Sequence, residues 1–298
     1  MTSAASVKER LKNRAVANGK TMQEALTAYG LERTVYRLSV SDYVERFTLK
    51  GGIFLYALFD GEFARATRDI DLLAGNIPND EDNMRKVFDE IFSIECDDAI
   101  RYDMATLEVK NIAEFKRYHG VNISIAAYLD KTRVQVSIDI GFGDVVIPDR
   151  VKMDFPVLLD MDVPRIYAYS IPSVIAEKFE AMVSLGDANS RYKDFYDIYL
   201  LANRYEIAGQ ELQAAIMETF EHRKTSFDDI FVFKEDFLES PLHQSRWKSF
   251  LKKKKAMIDM ELVVVIALMK ELLLPVVDSI KYSHDFTSTW DNKDHNWK

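Results

Sequence analysis

A single cysteine, Cys96, stands among 298 residues. That excludes an intrachain disulfide framework and fits a reducing compartment, with a buried apolar thiol as its expected role. Long hydrophobic runs are missing too. The most apolar stretch, Leu262 to Met269, falls well short of the roughly 20 residues that a membrane span needs, and nothing at the N-terminus resembles a signal peptide. The five histidines show no His-x-x-x-His spacing, so no zinc site is expected. There is no Walker A loop, no Gly-x-Ser-x-Gly elbow and no dinucleotide-binding glycine fingerprint. These absences leave a cytoplasmic protein with no membrane segment. Positive charge is the minority: 39 Lys and Arg against 48 Asp and Glu give −9. This excess argues against non-specific coating of nucleic acid, yet permits a basic patch beside an acidic metal site.

What is present is ample core-forming material, 48% hydrophobic and 12% aromatic, enough for one large domain or two smaller ones. No repeat or low-complexity tract occurs. The cations gather in two groups, Lys8, Arg10, Lys12 and Arg14 with Glu9 as their one acid, and Arg246, Lys248 and Lys252 to Lys255 with none. Each is either a solvated face or a contact for RNA phosphates.

The stretch from Leu49 to Leu73 is the centre of the reading. Phe47 and Leu49 suit a short strand that enters a turn at Gly51-Gly52, and Ile53, Phe54, Leu55, Tyr56 and Leu58 suit a buried helix after it. Glycine there lets a phosphate approach successive amide N–H groups at the start of a helix. A strand Asp69-Ile70-Asp71-Leu72-Leu73 follows, and alternation sends Asp69 and Asp71 to one face and Ile70 and Leu72 to the other. Two like charges side by side repel, and a divalent cation offsets that repulsion. A glycine turn followed by Asp-x-Asp is therefore laid out for nucleotidyl transfer. The plain alternative is an ordinary turn and a surface strand end.

In chain order, Ser6–Asn18 and Met22–Leu38 read as helices, the second with Met22, Ala25, Leu26 and Tyr29 on one face. A further helix starts near Pro78-Asn79-Asp80, with Met84, Val87, Phe88 and Ile91 as its stripe. Three strands come next, around Leu107–Ile112, Val121–Ile125 and Val134–Ile140. In the last, Val134, Val136, Ile138 and Ile140 face a core, which leaves Gln135, Ser137, Asp139 and Gly141 opposite. Asp139 either joins Asp69 and Asp71 as a third carboxylate or ends an exposed strand. From Pro148 to Pro164 the chain is proline-punctuated and read as irregular, a passage to a helical half. A helix then starts near Pro172, capped by Ser170, and ends near Gly186. Lys178 lies within its apolar stripe and must either snorkel out or meet an anion. The helix Arg191–Asn203 places Asp194 beside Ile198 and Leu201, which calls for a partner such as Lys178, Arg191 or Lys193, or for a general base; Lys193 with Asp197 is the plain ion pair. Gly209–Phe220, Pro241–Leu251 and Leu262–Leu274 read as helices, and the chain after Tyr282 as polar and irregular.

Several of these segments in order, LERTVYRLSVSDYVERFTLKGGIFL, TRDIDL, IDIGFGD, IPSVIAEKFEAMV and RYKDFYDIYLL, resemble the AbiEii/AbiGii abortive-infection toxins, prokaryotic nucleotidyltransferases of the minimal DNA polymerase beta-like superfamily. The resemblance runs from about Ser6 to Asn203, and the ordered set is far more specific than any one motif. It implies an α/β fold: a mixed-sheet nucleotidyltransferase core with N-terminal helices over residues 1–163, and a helical C-terminal bundle over 164–298 that completes an active-site cleft. It implies Asp69, Asp71, Lys178 and Asp194 as catalytic, Asp69, Asp71 and Asp139 as metal ligands, and Lys50, Gly51, Gly52, Arg68 and Lys178 as nucleotide- and phosphate-binding. The superfamily often has Gly-Ser where this chain has Gly51-Gly52, so backbone amides would replace a hydroxyl contact. Mg2+ as cofactor, an NTP as co-substrate, tRNA as acceptor and a cognate antitoxin are the partners implied. A different transferase reading places the nucleotide on a protein side chain or a small molecule, and a non-catalytic nucleotide- or protein-binding module is the remaining class.

Overall fold

The computed structural model describes residues 2–61, 67–114, 118–254 and 260–298. Lys255 of the second basic group, and residues 62–66 within the Leu49–Leu73 stretch, lie outside them. The chain forms two compact units, Met1–Asp144 with Val151–Tyr169, and Val145–Arg150 with Ser170–Lys298.

The first unit opens with α1 (Ala4–Ala17) and α2 (Met22–Ser39). Thr21 and Glu24 start α2 with a capping box: the Thr21 hydroxyl accepts the Glu24 N–H, and the Glu24 carboxylate accepts the Thr21 N–H. There follow β1 (Phe47–Lys50), α3 (Gly51–Leu58), β2 (Ile70–Ala74), α4 (Glu81–Phe92), β3 (Ile100–Glu114), β4 (Tyr118–Leu129), β5 (Thr132–Phe142), β6 (Val151–Asp154) and β7 (Arg165–Ala168). The strands make one sheet in the order β3-β4-β5-β2-β1-β7-β6. It is mixed, because β2 runs parallel to β5 and β1 to β7 while the other pairs are antiparallel.

Alternation divides the sheet into two faces. Val121, Ile123 and Ile125 of β4, Val134, Val136, Ile138 and Ile140 of β5, Ile70 and Leu72 of β2, and Phe47 and Leu49 of β1 are all buried and in register. Each such side chain contributes about 1.5–3 kcal/mol when fully buried. Against this face α2 comes close, since a Cβ added to Gly30 would lie 2.9 Å from Val134 Cγ1. From α4, Phe88 meets Phe47 edge-on at 5.6 Å. The opposite face takes Lys50, Asp71, Asp139 and Asn122.

The second unit contains α5 (Ile171–Leu185), α6 (Tyr192–Arg204), β8 (Ile207–Ala208), α7 (Gly209–Arg223), α8 (Glu235–Glu239), α9 (Pro241–Lys254), α10 (Leu262–Lys281), β9 (Thr289–Asp291) and β10 (Asn296–Trp297). α5 begins as its sequence requires, with the Ser173 N–H donated to Ser170 Oγ and Pro172 in the first turn.

Four expectations need correction. The passage from Pro148 to Pro164 contains β6, whose four residues pair with β7 and are too few to show a period. The helix expected to end at Leu274 continues to Lys281 across Pro275. The polar tail is ordered: β9 joins β8 and β10 in a small sheet, and the buried Trp290 donates its indole N–H to the Ala202 carbonyl at 2.8 Å. Cys96 is half-buried rather than enclosed, with Sγ 3.8 Å from the Ile94 carbonyl. No helix among the described residues is long and apolar enough to cross a membrane.

Candidate active site

In the first unit the site is built by strand register. Asp71 of β2 pairs with Lys50 of β1 on one side and with Asp139 of β5 on the other, and Asp139 pairs with Asn122 of β4. Paired residues point to one face, so the two carboxylates stand on adjacent strands whose backbones lie about 4.8 Å apart. Gly51 begins α3 with φ +63°, and a Cβ there would fall 2.1 Å from Asp71 Oδ2. Only glycine suits both the angle and the space. The Gly52 N–H donates to Asp71 Oδ2 at 3.2 Å. The glycine turn thus seats a carboxylate, and a phosphate entering there would compete with Asp71 for that amide.

The neighbours of these residues were not evident from the sequence. Asn122 donates to Asp139 Oδ1 at 2.7 Å and to Ser137 Oγ at 3.0 Å, which orients the Asp139 carboxylate. Lys50 is largely enclosed: its ammonium donates to Asp144 Oδ2 at 2.8 Å and lies 5.0 Å from the centre of the Tyr169 ring. Alternation marks Asn122 as a polar member of a Val/Ile strand, and Asp144 closes the IDIGFGD segment, but neither signal names a partner. Asp69 is exposed at the bend just before β2, with Arg68, also exposed, next to it.

Among the described residues no three His, Cys, Asp or Glu side chains stand close enough to enclose a metal ion. Magnesium does not require such a cage, since it is commonly held by one or two carboxylates together with substrate phosphates and water. Hard carboxylate oxygens on adjacent strands, with the Asp71 carboxylate seated where only glycine at position 51 leaves it space, suit that mode.

In the second unit Lys178 does meet an anion. Its ammonium donates to Asp194 Oδ1 at 2.9 Å and to Asp197 Oδ2 at 2.6 Å, while Arg191 donates to Asp194 Oδ2 at 2.6 Å. Asp194 and Asp197 are fully buried and Lys178 nearly so. Two cations and two anions cancel, which is how the interior tolerates them. The contact of Lys178 with Asp197 comes from another helix, so the i, i+4 spacing of Lys193 and Asp197 within α6 does not reveal it. Burial by itself would raise the Asp194 carboxyl, but Lys178 and then Arg191 more than offset it and hold it at about 2. Such a group is a weak base at neutral pH.

A family model and solved structures match this chain. The family model for the nucleotidyl transferase AbiEii toxin of type IV toxin–antitoxin systems matches residues 33–260, a span that contains every residue placed above. A crystal structure of JHP933 from Helicobacter pylori is similar at 15% identity with a TM-score of 0.47, over 85% of this chain and 95% of that one. A second H. pylori structure, described as a candidate nucleotidyltransferase, is similar at 15% identity with a TM-score of 0.48, over 86% and 96%. No match to a curated protein accompanies them. With the model covering well over half of its length, this chain belongs to the AbiEii family of nucleotidyltransferase toxins of type IV toxin–antitoxin systems.

Proposed function

We propose that this nucleotidyltransferase uses Mg2+ to transfer a nucleoside monophosphate from an NTP to the 3' end of tRNA, in the cytoplasm, and so stops translation unless a cognate antitoxin intervenes. The observation that carries the reading is the register that sets Asp71 beside Asp139, with Gly51 leaving room for the carboxylate.

The α/β part, residues 1–163, would supply Asp69 and Asp71 as cation ligands with Asp139 as a third, and Lys50, Gly52 and Arg68 toward the phosphates. Bound Mg2+ would offset charge on the α-phosphate and on the leaving group. The helical part, 164–298, would supply Lys178 for the triphosphate tail. Asp194, saturated by Lys178 and Arg191, suits the positioning of that lysine better than proton abstraction. The acceptor oxygen bonds to the α-phosphorus as the bond to the bridging β-phosphate oxygen breaks; pyrophosphate departs and the acceptor proton passes to water.

The test is incubation of purified protein with Mg2+, α-labelled NTPs and total tRNA. Labelled tRNA is expected, with loss of label in Asp71→Asn and in EDTA. Label on a protein or small molecule instead would move the acceptor to that class, and absence of product with every nucleotide and acceptor would overturn the reading.

A further inference from the structure

Helix α9, PLHQSRWKSFLKKK, contains no acidic residue. The chain's −9 is the sum of +5 on this helix and −14 elsewhere, so a polyanion repelled by most of the molecule is attracted here. The inward side of the helix is fixed. His243, Trp247 and Leu251 are buried. Trp247 meets Tyr192 edge-on at 6.3 Å, Phe250 meets Tyr196 at 5.9 Å, and the Tyr192 hydroxyl is 2.7 Å from His243 Nδ1. Tyr192 and Tyr196 belong to α6, on either side of Asp194. α9 is therefore fastened to the helix that carries the Lys178 partners.

Its outward side is rich in cations, of which Arg246 also reaches the Tyr192 side chain. Arg246, Lys248, Lys252 and Lys253 are all exposed, over about 10 Å of helix at 1.5 Å per residue. Among the described residues no carboxylate pairs with Lys248, Lys252 or Lys253, and the same holds for Lys86, Lys131, Lys224 and Lys281 on other elements; what sets α9 apart is that its cations lie close together with no acid among them. A membrane surface is a poor match, because an interfacial helix buries an apolar stripe in lipid and the apolar residues of α9 point into the protein, Leu242 excepted. Exposed cations close together on one helix, with no acid among them and a fixed aromatic face behind them, suit a phosphate backbone.

We propose that the outer face of α9 is the docking surface for the phosphate backbone of the RNA acceptor, an inference that rests on the reading of RNA as acceptor. It is tested with the full chain by fluorescence anisotropy against deacylated total tRNA at several salt concentrations, alongside the labelling assay. The variant replaces Arg246, Lys248, Lys252 and Lys253 by Gln; a control replaces Lys86, Lys131, Lys224 and Lys281, which are exposed on other elements. The α9 variant is expected to bind tRNA on the order of 10–100-fold more weakly, with a salt slope shallower by about 3, while its NTP-dependent thermal shift is kept. The control is expected to lose much less. A charge-reversal pair, Lys252→Glu with Lys253→Glu, repeats the test if the fourfold variant melts early. Wild-type binding by the α9 variant, or an equal loss in the control, overturns the inference and leaves the proposed function standing. Absence of RNA labelling and binding in the wild type removes both. Loss of antitoxin or anionic-vesicle binding, with tRNA binding intact, assigns the face to another partner and also overturns the inference.

Discussion

Asp194 and Glu32 are both buried carboxylates that their surroundings move in opposite directions. Asp194, with two cations on its oxygens, is held at about 2 against an ordinary 3.8. A depressed acid contributes stability that is complete above its unfolded value and is lost as pH falls toward the folded one. Glu32 is pushed up to about 7 from 4.5, first by burial; Arg33, at 2.8 Å but poorly aligned for a hydrogen bond, and the Leu158 N–H at 2.6 Å offset this only in part. Its folded form keeps the proton to about pH 7 while the unfolded chain releases it near 4.5, so its stability contribution falls as pH rises through that window and is flat above it. Glu32→Gln is expected to flatten urea-unfolding stability between pH 4.5 and 7 and to raise it at pH 8 by about 1–3 kcal/mol. Gly51→Ala forces a side chain into a left-handed angle and against Asp71. A cost of about 1–3 kcal/mol is expected, together with loss of nucleotidyl transfer well beyond what that destabilisation explains; a variant with wild-type turnover would show that the seat of Asp71 is unimportant.

At the scale of elements, the contact between α2 and β5 depends on the absence of one methyl group. Alanine at an exposed helical glycine normally stabilises by about 1 kcal/mol, but at Gly30 it would meet Val134 Cγ1, the end of a stiff β-branched side chain. Gly30→Ala should therefore destabilise by about 1–3 kcal/mol. Val134→Ala should recover part of that loss in the double variant, so a double-mutant cycle is expected to give clear coupling. Additive effects would refute the contact. The same pair shows what the sequence conveys. The alternation of Val134, Val136, Ile138 and Ile140 was legible, and so was the placement of Asp139 on the opposite face, because both depend on a period within one strand. That Asp139 stands beside Asp71 was one of two readings left open, since the parallel pairing of β2 with β5 across more than sixty residues leaves no local trace to decide between them. Lys178 and Asp194 stood out as charges on apolar stripes, while the contact of Asp197 with Lys178 left no local trace because it comes from α5. Short strands such as β6 and β8 were missed for want of a period.

For the whole molecule, the proposed function makes one demand: nucleotide and cation bind together. Ligand that binds only the folded state stabilises it by RT ln(1 + [L]/Kd), about 2.7 kcal/mol at a hundredfold excess over Kd. An NTP is therefore expected to raise the melting temperature when Mg2+ is present, to do so far less in EDTA, and to lose the effect in Asp71→Asn, as scanning calorimetry would record. An equal shift in EDTA would mean that the nucleotide binds without the carboxylates.

The folded tail has an optical consequence. The three tryptophans of the chain, Trp247, Trp290 and Trp297, all belong to the second unit, and Trp290 is completely shielded by the small sheet. Indole emission excited near 295 nm is therefore a private reporter for that unit, silent about the sheet-bearing one. Followed beside circular dichroism, it reveals directly whether the two halves melt in a single step or in succession.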